Sequence, residues 1–326
     1  MSIADLIPLL STAVAASTPL VYAAIGETIT ERAGIINLSA EGTIMLAAMG
    51  GFAAARASES LFVGFAVAAL IGALVALVVA LFALRLRRSA VAAGFVLALL
   101  CADLSSVLGS PFVQVQGPTV PSAPVPLIGE VPVLGPLFFQ SDLLVYASYL
   151  LVAATWFVFY RTRAGLVLRA VGEQPAAAHA RGVDVVRVRY AAALFGGALM
   201  GIAGAAYSLD VKAGWSHRHT AGYGWIALAI VIFGGHHPAK VALGAYLFGA
   251  LSSLASVGQS ALPAVPTQVF SVAPFVLMIL VLWLTSSGAL ERLLAPLPES
   301  ARRPLLRALT AAPPASLGKP LDREID

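Results

Sequence analysis

Polar and ionisable side chains crowd into one stretch of this chain, "GETITERAGIINLSAEGTIMLAAMGGF" (Gly26–Phe52), where Glu27, Glu31, Arg32, Asn37 and Glu41 stand between apolar runs. Ionisable groups at membrane depth are costly and face a cavity or a partner. Glu31 and Arg32 are read as occupants of a short inner turn. Glu27, Asn37 and Glu41 admit two readings: they satisfy one another as glue between helices, or they line a solute path. Asp103 stands mid-span in "GFVLALLCADLSSVLG". A buried partner or polar cavity is the plainer account of it, and proton carriage the sharper one. His217 with His219, and His236 with His237, have no companion carboxylate or cysteine and are read as solvated loop histidines, not metal ligands. No H-E-x-x-H occurs, no nucleophile–base pair is recognisable, and the Gly318-Lys319 pair runs into Pro320 without a P-loop frame. Enzymatic chemistry is therefore disfavoured, and passage of a solute is the chemistry these residues suit.

The elements that must position them are membrane spans. The chain has 326 residues, 59% hydrophobic and 11% charged, with a mean hydropathy of +0.90. Runs of about 20 apolar residues suit helices that cross a bilayer core. The pattern predicts an all-α polytopic membrane protein with spans at about 4–25, 35–55, 61–84, 89–110, 142–160, 190–209, 225–235, 241–258 and 267–284, hence about 8–10 transmembrane helices by the spacing rule. The seventh is too short to cross as a regular helix, so it is read as broken or re-entrant. Glycines 222, 224, 234 and 235 with Pro238 interrupt that region, and broken segments point to a solute pathway. Trp215, Tyr223 and Trp225 at its outer end are read first as interface anchors and second as stacking platforms for a ring-shaped solute. The N-terminus, "MSIADLIPLL", lacks a basic signal-peptide region, so the first apolar segment is expected to remain as a span. Cys101, the single cysteine, excludes an internal disulfide.

Charge orients the spans. With the N-terminus outside, 17 of the 20 basic residues fall on the inner side and only Arg56, Lys212 and Arg218 lie outside, as the positive-inside rule requires. A net charge of +4 is thus a matter of membrane orientation, with no nucleic-acid partner implied. The outer segment 111–141 has no Lys or Arg and is rich in proline ("GPTVPSAPVP"). Such a chain is extended and semi-rigid, and is expected to act as an external cap or a partner contact. The tail, 285–326, is polar and basic, expected to be cytoplasmic and partly disordered.

The inner loop 161–189 contains "LRAVGEQPAAAHARGV" (Leu168–Val183). Pro175 suits a first helical position, Glu173 and Arg181 complement the two ends of the helix dipole, and Gly182 supplies the stop. A helix this short is not stable alone in water, so a partner is expected to hold it.

Three stretches, "GETITERAGIINLSAEGTIML", "LRAVGEQPAAAHARGVDVVRVRY…GGALMGIAGAAYSL" and "TAGYGWIALAIVIFGGHHP", give the chain its resemblance to permease subunits of bacterial ABC importers. The likeness is to the ribose and branched-chain amino-acid permease branch, and more narrowly to nucleoside or simple-sugar permeases that work with a basic-membrane-protein-type lipoprotein. It covers Gly26 to about Ala250. The resemblance implies a transmembrane permease domain over 1–284 in the bacterial inner membrane. It also implies a second permease subunit, a cytoplasmic ABC ATPase that carries the ATP and Mg, and an external solute-binding lipoprotein; this chain itself would bind no cofactor. The implied coupling helix matches Glu173–Arg181, flanked by Arg169, Gly172 and Gly182, with Pro175 inside it. The solute-path candidates are Glu27, Asn37, Glu41, Asp103 and Trp225. The family's Gly-Leu-Ala-Leu-Asn pattern in the fourth span reads "GFVLA" here, with Ala98 in place of asparagine and Asp103 added. The alternative is a stand-alone secondary transporter or channel that uses Asp103 and Glu41.

Overall fold

The computed structural model describes residues 3–261 apart from 127–128, 130 and 132–134, then isolated positions between 265 and 299, and the segment 313–319. Apart from those isolated positions, the expected ninth span, 267–284, and most of the tail lie outside the described residues. Ten α-helices form the described part: α1 (Ile3–Arg32), α2 (Ala40–Ser58), α3 (Leu61–Ala80), α4 (Ala90–Gly109), α5 (Leu143–Arg161), α6 (Arg163–Glu173), α7 (Pro175–Ala180), α8 (Val185–Ala206), α9 (Tyr223–Phe233) and α10 (Pro238–Ala261). Single π-helical turns extend α3 through Leu81–Arg85 and α8 through Tyr207–Val211. Among the described residues the β-structure is limited to isolated bridges, such as Gln116 with Gly214 and Ser122 with Asp142. These hold the proline-rich outer loop near the outer ends of α8 and α5.

Among the described residues six helices are long and apolar enough to cross a membrane: Ile7–Arg32, Leu61–Arg85, Ala90–Phe112, Leu143–Arg161, Val185–Val211 and Pro238–Gln259. The expected second span is the 19-residue α2, which carries Glu41 and Arg56 at its ends and is buried along most of its length. The expected seventh span is α9, 11 residues long. About 10–14 apolar residues are too few for a regular crossing, which agrees with a broken segment. Instead of ending near residue 25, α1 continues for another two turns to Arg32. Glu27, Glu31 and Arg32 therefore sit on a membrane helix, and Asn37 alone occupies the turn before α2.

Small residues build the centre. In lipid, close backbone approach replaces the hydrophobic effect as the drive for helix association. Where α1 meets α8, a Cβ on Gly26 would lie 2.5 Å from the Gly196 carbonyl oxygen, and one on Gly196 would lie 2.4 Å from that of Gly26. Only glycine at both positions lets these backbones touch. Around this contact Leu20, Ile25, Ile44, Met200 and Ile230 are nearly inaccessible and join α1, α2, α8 and α9 into one core.

Candidate functional site

The polar residues of the Gly26–Phe52 stretch divide into separate clusters. Glu27 and Asn37 are fully buried: the Asn37 backbone N–H donates to Glu27 Oε1 at 3.1 Å, and Ser39 Oγ donates to Asn37 Oδ1 at 2.5 Å. This cluster lies against Met200 of α8, and Glu27 Oε2 has no hydrogen-bond partner. Glu41, in the first turn of α2, reaches instead to the start of α9. Its carboxylate accepts from the backbone N–H groups of Gly222 at 2.6 Å, Gly224 at 2.9 Å and Trp225 at 3.4 Å. The first N–H groups of a helix lack intrahelical acceptors, and here a carboxylate from another helix supplies them.

The inner-turn reading of Glu31 and Arg32 does not hold. Glu31 is buried and meets His236 Nε2 at 2.5 Å, while Arg32 donates to the carbonyls of His236 at 3.1 Å and Gly235 at 3.3 Å. His236 is itself 3% exposed, not solvated. A tight turn between α9 and α10, with positive φ at Gly235 and His236, carries it under the end of α1. His237 stacks on Tyr160 with ring centroids 5.2 Å apart. Burial, with Lys240 and Arg32 nearby, holds its pKa below the ordinary histidine value.

Asp103 departs from the expected buried site. Its side chain is 71% exposed in the single chain and pairs with Arg218 of the outer loop at 3.1 Å. The helix that bears it, α4, turns one flank outward, including Leu99, Leu100 and Val107.

At the outer end, Tyr207 and Tyr223 meet edge to face at 4.6 Å, and Tyr207 lies 5.3 Å from His219. Trp215 is 3% exposed, so it is no interface anchor. It packs at 6.1 Å from the His219 ring. Trp225 is exposed, as an interface anchor would be. A cavity of about 520 Å³ opens between Gln114, Gln116, Tyr207, Lys212, Trp215 and His219. His219 Nδ1 lies 2.7 Å from the Ser216 carbonyl, an acceptor, so Nδ1 carries the ring proton. Nε2 then has no partner. Burial and Lys212 hold the His219 pKa below the ordinary 6.5, against the opposing pull of the Ser216 carbonyl. The cavity thus has two amides and the edges of buried aromatic rings in its wall, with His219 Nε2 buried behind it, a lining able to receive a planar or ring-shaped polar solute. Of these residues, the sequence motifs singled out only Trp215, Tyr223 and the histidines; Tyr207 and the two glutamines were hidden because no local pattern marks them.

At the opposite end, α6 and α7 form the loop expected to couple. Thr162 caps α6 by accepting from the Gly165 N–H at 3.2 Å. Gly172 is packed so tightly that a Cβ there would lie 2.0 Å from the Arg32 carbonyl oxygen. Glu173 lies 3.9 Å from Arg32. Arg169 places its guanidinium 5.1 Å over the Tyr160 ring. Pro175 opens α7, and Gly182, with φ +80°, closes the turn through its N–H to the His179 carbonyl at 2.8 Å. Ala178 is buried, whereas Gln174, Ala176, Ala177, His179, Ala180 and Arg181 face outward.

These features define a polytopic helical membrane protein with a broken central segment and an exposed short helix at one face. The chain belongs to the family of branched-chain amino acid transport system permease components, matched over residues 9–282. It is 38% identical over 256 residues to TsgC13 of Haloferax volcanii, provisionally named a glucose ABC transporter permease, covering 77% of this chain and 78% of that protein. It is 34% identical over 280 residues to the nucleoside ABC transporter permease NupC of Lactococcus lactis, covering 82% and 88%. With the guanosine ABC transporter permease NupQ of Bacillus subtilis the identity is 29% over 299 residues, covering 85% and 93%. No solved structure gives a significant match. The chain is an ABC transporter permease subunit, a multi-pass membrane protein that works with an ATPase and a solute-binding protein and is not itself an enzyme.

Proposed function

We propose that this permease imports a nucleoside, or failing that a simple sugar, across the bacterial inner membrane. It would do so as one half of a pair of permease subunits, with an external lipoprotein delivering the solute. The cargo rests on two of the relatives being nucleoside or guanosine permeases by name. The aromatic cavity at the outer end suits a heterocycle, since flat rings stack well on aromatic faces. Glu27, Asn37, Glu41, Asp103 and Trp225 remain the path candidates. Of these, Glu41 sets the position of α9, while Glu27 and Asn37 hold the α1–α2 turn.

The observation that carries the mechanism is the exposed α7 at the end of an α6 packed directly on α1. ATP-driven closure of the partner ATPase would move α7 as a small rigid body. The contact of Gly172 with Arg32 then transmits the displacement to α1, and so to the helices around it. The inner ends of α1, α3, α5 and α10 and the whole 161–189 loop share the basic residues, which supports a cytoplasmic location for α7. The protein itself does no chemistry; it converts the partner's cycle into alternating access.

Three measurements test this. Uptake should stop on ATP depletion and survive a protonophore, and Glu173→Lys should abolish it while the protein stays in the membrane. Wild-type uptake by that variant would overturn the coupling assignment. Thermal-shift screening of the solute-binding partner against nucleosides and sugars decides the cargo.

A further inference from the structure

A second cavity, of about 250 Å³, lies on the same face as α7. Its walls are the α1–α2 turn (Gly34, Ile35, Ile36), the α3–α4 turn (Arg87, Arg88, Ser89), Arg189 of α8, and Gly318 with Lys319. Four of these residues are cationic, and among the described lining residues there is no carboxylate. Arg189 is 2% exposed. It donates from Nη2 to Ser316 Oγ at 3.0 Å, but its Nε has no hydrogen-bond partner. Among the described residues no carboxylate pairs with it.

A buried guanidinium without a counter-charge is costly, and so is a buried N–H without an acceptor. One bound anion with several acceptor oxygens relieves both. The α4 N-terminus at the cavity wall adds partial positive charge. The cavity is also built, not incidental. Segment 313–319 closes one side of it: Gly318 N–H donates to the Gly34 carbonyl at 3.2 Å, and Ser316 Oγ donates to the Gly172 carbonyl at 2.6 Å. Gly34 has φ +93°, and a Cβ there would lie 2.7 Å from Ser316 Oγ and 2.8 Å from Arg189 Nη2. Leu86 and Val91 beside the α3–α4 turn are exposed, so apolar surface adjoins the basic opening.

We propose that this recess, through Arg88, Arg189 and Lys319, binds a phosphate group. The phosphate belongs either to an anionic phospholipid headgroup or to a soluble phosphate. Basic pockets between helices on the cytoplasmic side are suited to anionic headgroups, and phosphate takes several charge-assisted hydrogen bonds at once. The bound anion would fasten the 313–319 segment, through Lys319 and Ser316, to the base of the α6–α7 loop.

The test uses the full chain, purified and placed in nanodiscs of phosphatidylcholine alone or mixed with phosphatidylglycerol, with inorganic phosphate as the soluble probe. The binding variant is Arg88→Gln with Lys319→Gln, both on exposed side chains; Arg189→Gln is the buried companion. Expected is phosphatidylglycerol retained through delipidation by the wild type, with affinity reduced roughly fivefold for each cation removed. Arg163→Gln with Arg187→Gln, outside the recess, should leave retention unchanged. If inorganic phosphate in phosphatidylcholine discs gives the same protection, lost in the Arg88 and Lys319 variant, the ligand is a soluble phosphate. The proposal is overturned if neither probe binds above the neutral-lipid background. It is equally overturned if the Arg88 and Lys319 variant binds as the wild type does, or if the Arg163 and Arg187 control weakens binding as much.

Discussion

Glu41 and Gly222 stand 181 positions apart and are joined by a 2.6 Å hydrogen bond, the Gly222 backbone N–H donating to Glu41 Oε1. Helix caps normally come from the residue just before the helix. Gly222, with φ +92°, has no side chain to offer, so the cap arrives from α2. The start of the broken segment α9 is thereby fixed to a helix in the centre of the bundle, and movement of one end moves the other.

Replacing Glu41 with alanine should accordingly leave the N–H groups of Gly222 and Gly224 unsatisfied. Hydrogen bonds to charged groups contribute about 1.5–3 kcal/mol each, so a loss of that order is expected for Glu41→Ala. Glu41→Gln, which keeps one acceptor oxygen, should fall between the two. Thermal melting in detergent measures this; equal melting of all three proteins would show that the cap carries no weight.

Gly172 and Gly182 flank α7 and make a contrasting pair. A Cβ on Gly172 collides with the Arg32 carbonyl, whereas a Cβ on Gly182 meets nothing within 4 Å. Gly172→Ala must push α6 away from α1, an overpacking cost of about 1–3 kcal/mol. Gly182→Ala faces only the backbone cost of a left-handed position, roughly 1–2 kcal/mol. Both should reach the membrane. ATP-driven uptake should fall sharply in Gly172→Ala and mildly in Gly182→Ala, because only the first alters the joint between α6 and α1. The reverse order would place the joint elsewhere.

The helix α7 was legible because its signals are local, proline at the start and glycine at the end; Glu173, expected at its first turn, instead ends α6, and the joint of α6 with α1 was not legible. Most spans were legible by length and apolarity. The short α9 was legible from its glycines. Contacts across the fold were not. Glu31 reads as a turn residue until the α9–α10 turn brings His236 beneath it, 205 positions away. Trp215 has the sequence context of an interface anchor, yet the outer loop and the π-helical end of α8 bury it. Asp103 looks like a buried charge because its neighbours are apolar; only the packing of α4 shows which way it faces.

Asp103 also discriminates between the two modes of transport. Its partner Arg218 is exposed, and exposed ion pairs contribute about 1 kcal/mol or less. Asp103→Asn should therefore cost little stability and leave ATP-driven uptake largely intact with or without a protonophore. The charge-reversed pair, Asp103→Arg with Arg218→Asp, should behave like the wild type, and Asp103→Arg alone should be the worst of the series. Loss of uptake in Asp103→Asn, together with collapse of wild-type uptake under the protonophore, would favour a proton-driven transporter instead.

His219 gives the outer cavity a defined response to pH. Its folded pKa lies below 6.5 because burial disfavours the charged ring, while an unfolded histidine titrates near 6.5. Above both values neither state holds the proton, and His219 contributes no pH dependence. Between them the unfolded state takes up a proton that the folded state does not, so stability falls as the pH drops below about 6.5. The decline levels off once the folded ring also protonates. That protonation would place a positive charge beside Tyr207 and Trp215, so solute binding should weaken at the lower pH where the folded ring itself titrates. Relative to His219→Gln, the thermal midpoint of the wild type should accordingly decline as the pH falls below about 6.5. His219→Gln, whatever its absolute stability, should decline less steeply, because the shifted titration is gone. Parallel slopes for the two proteins would mean that the acid sensitivity arises at other groups and that His219 is solvated.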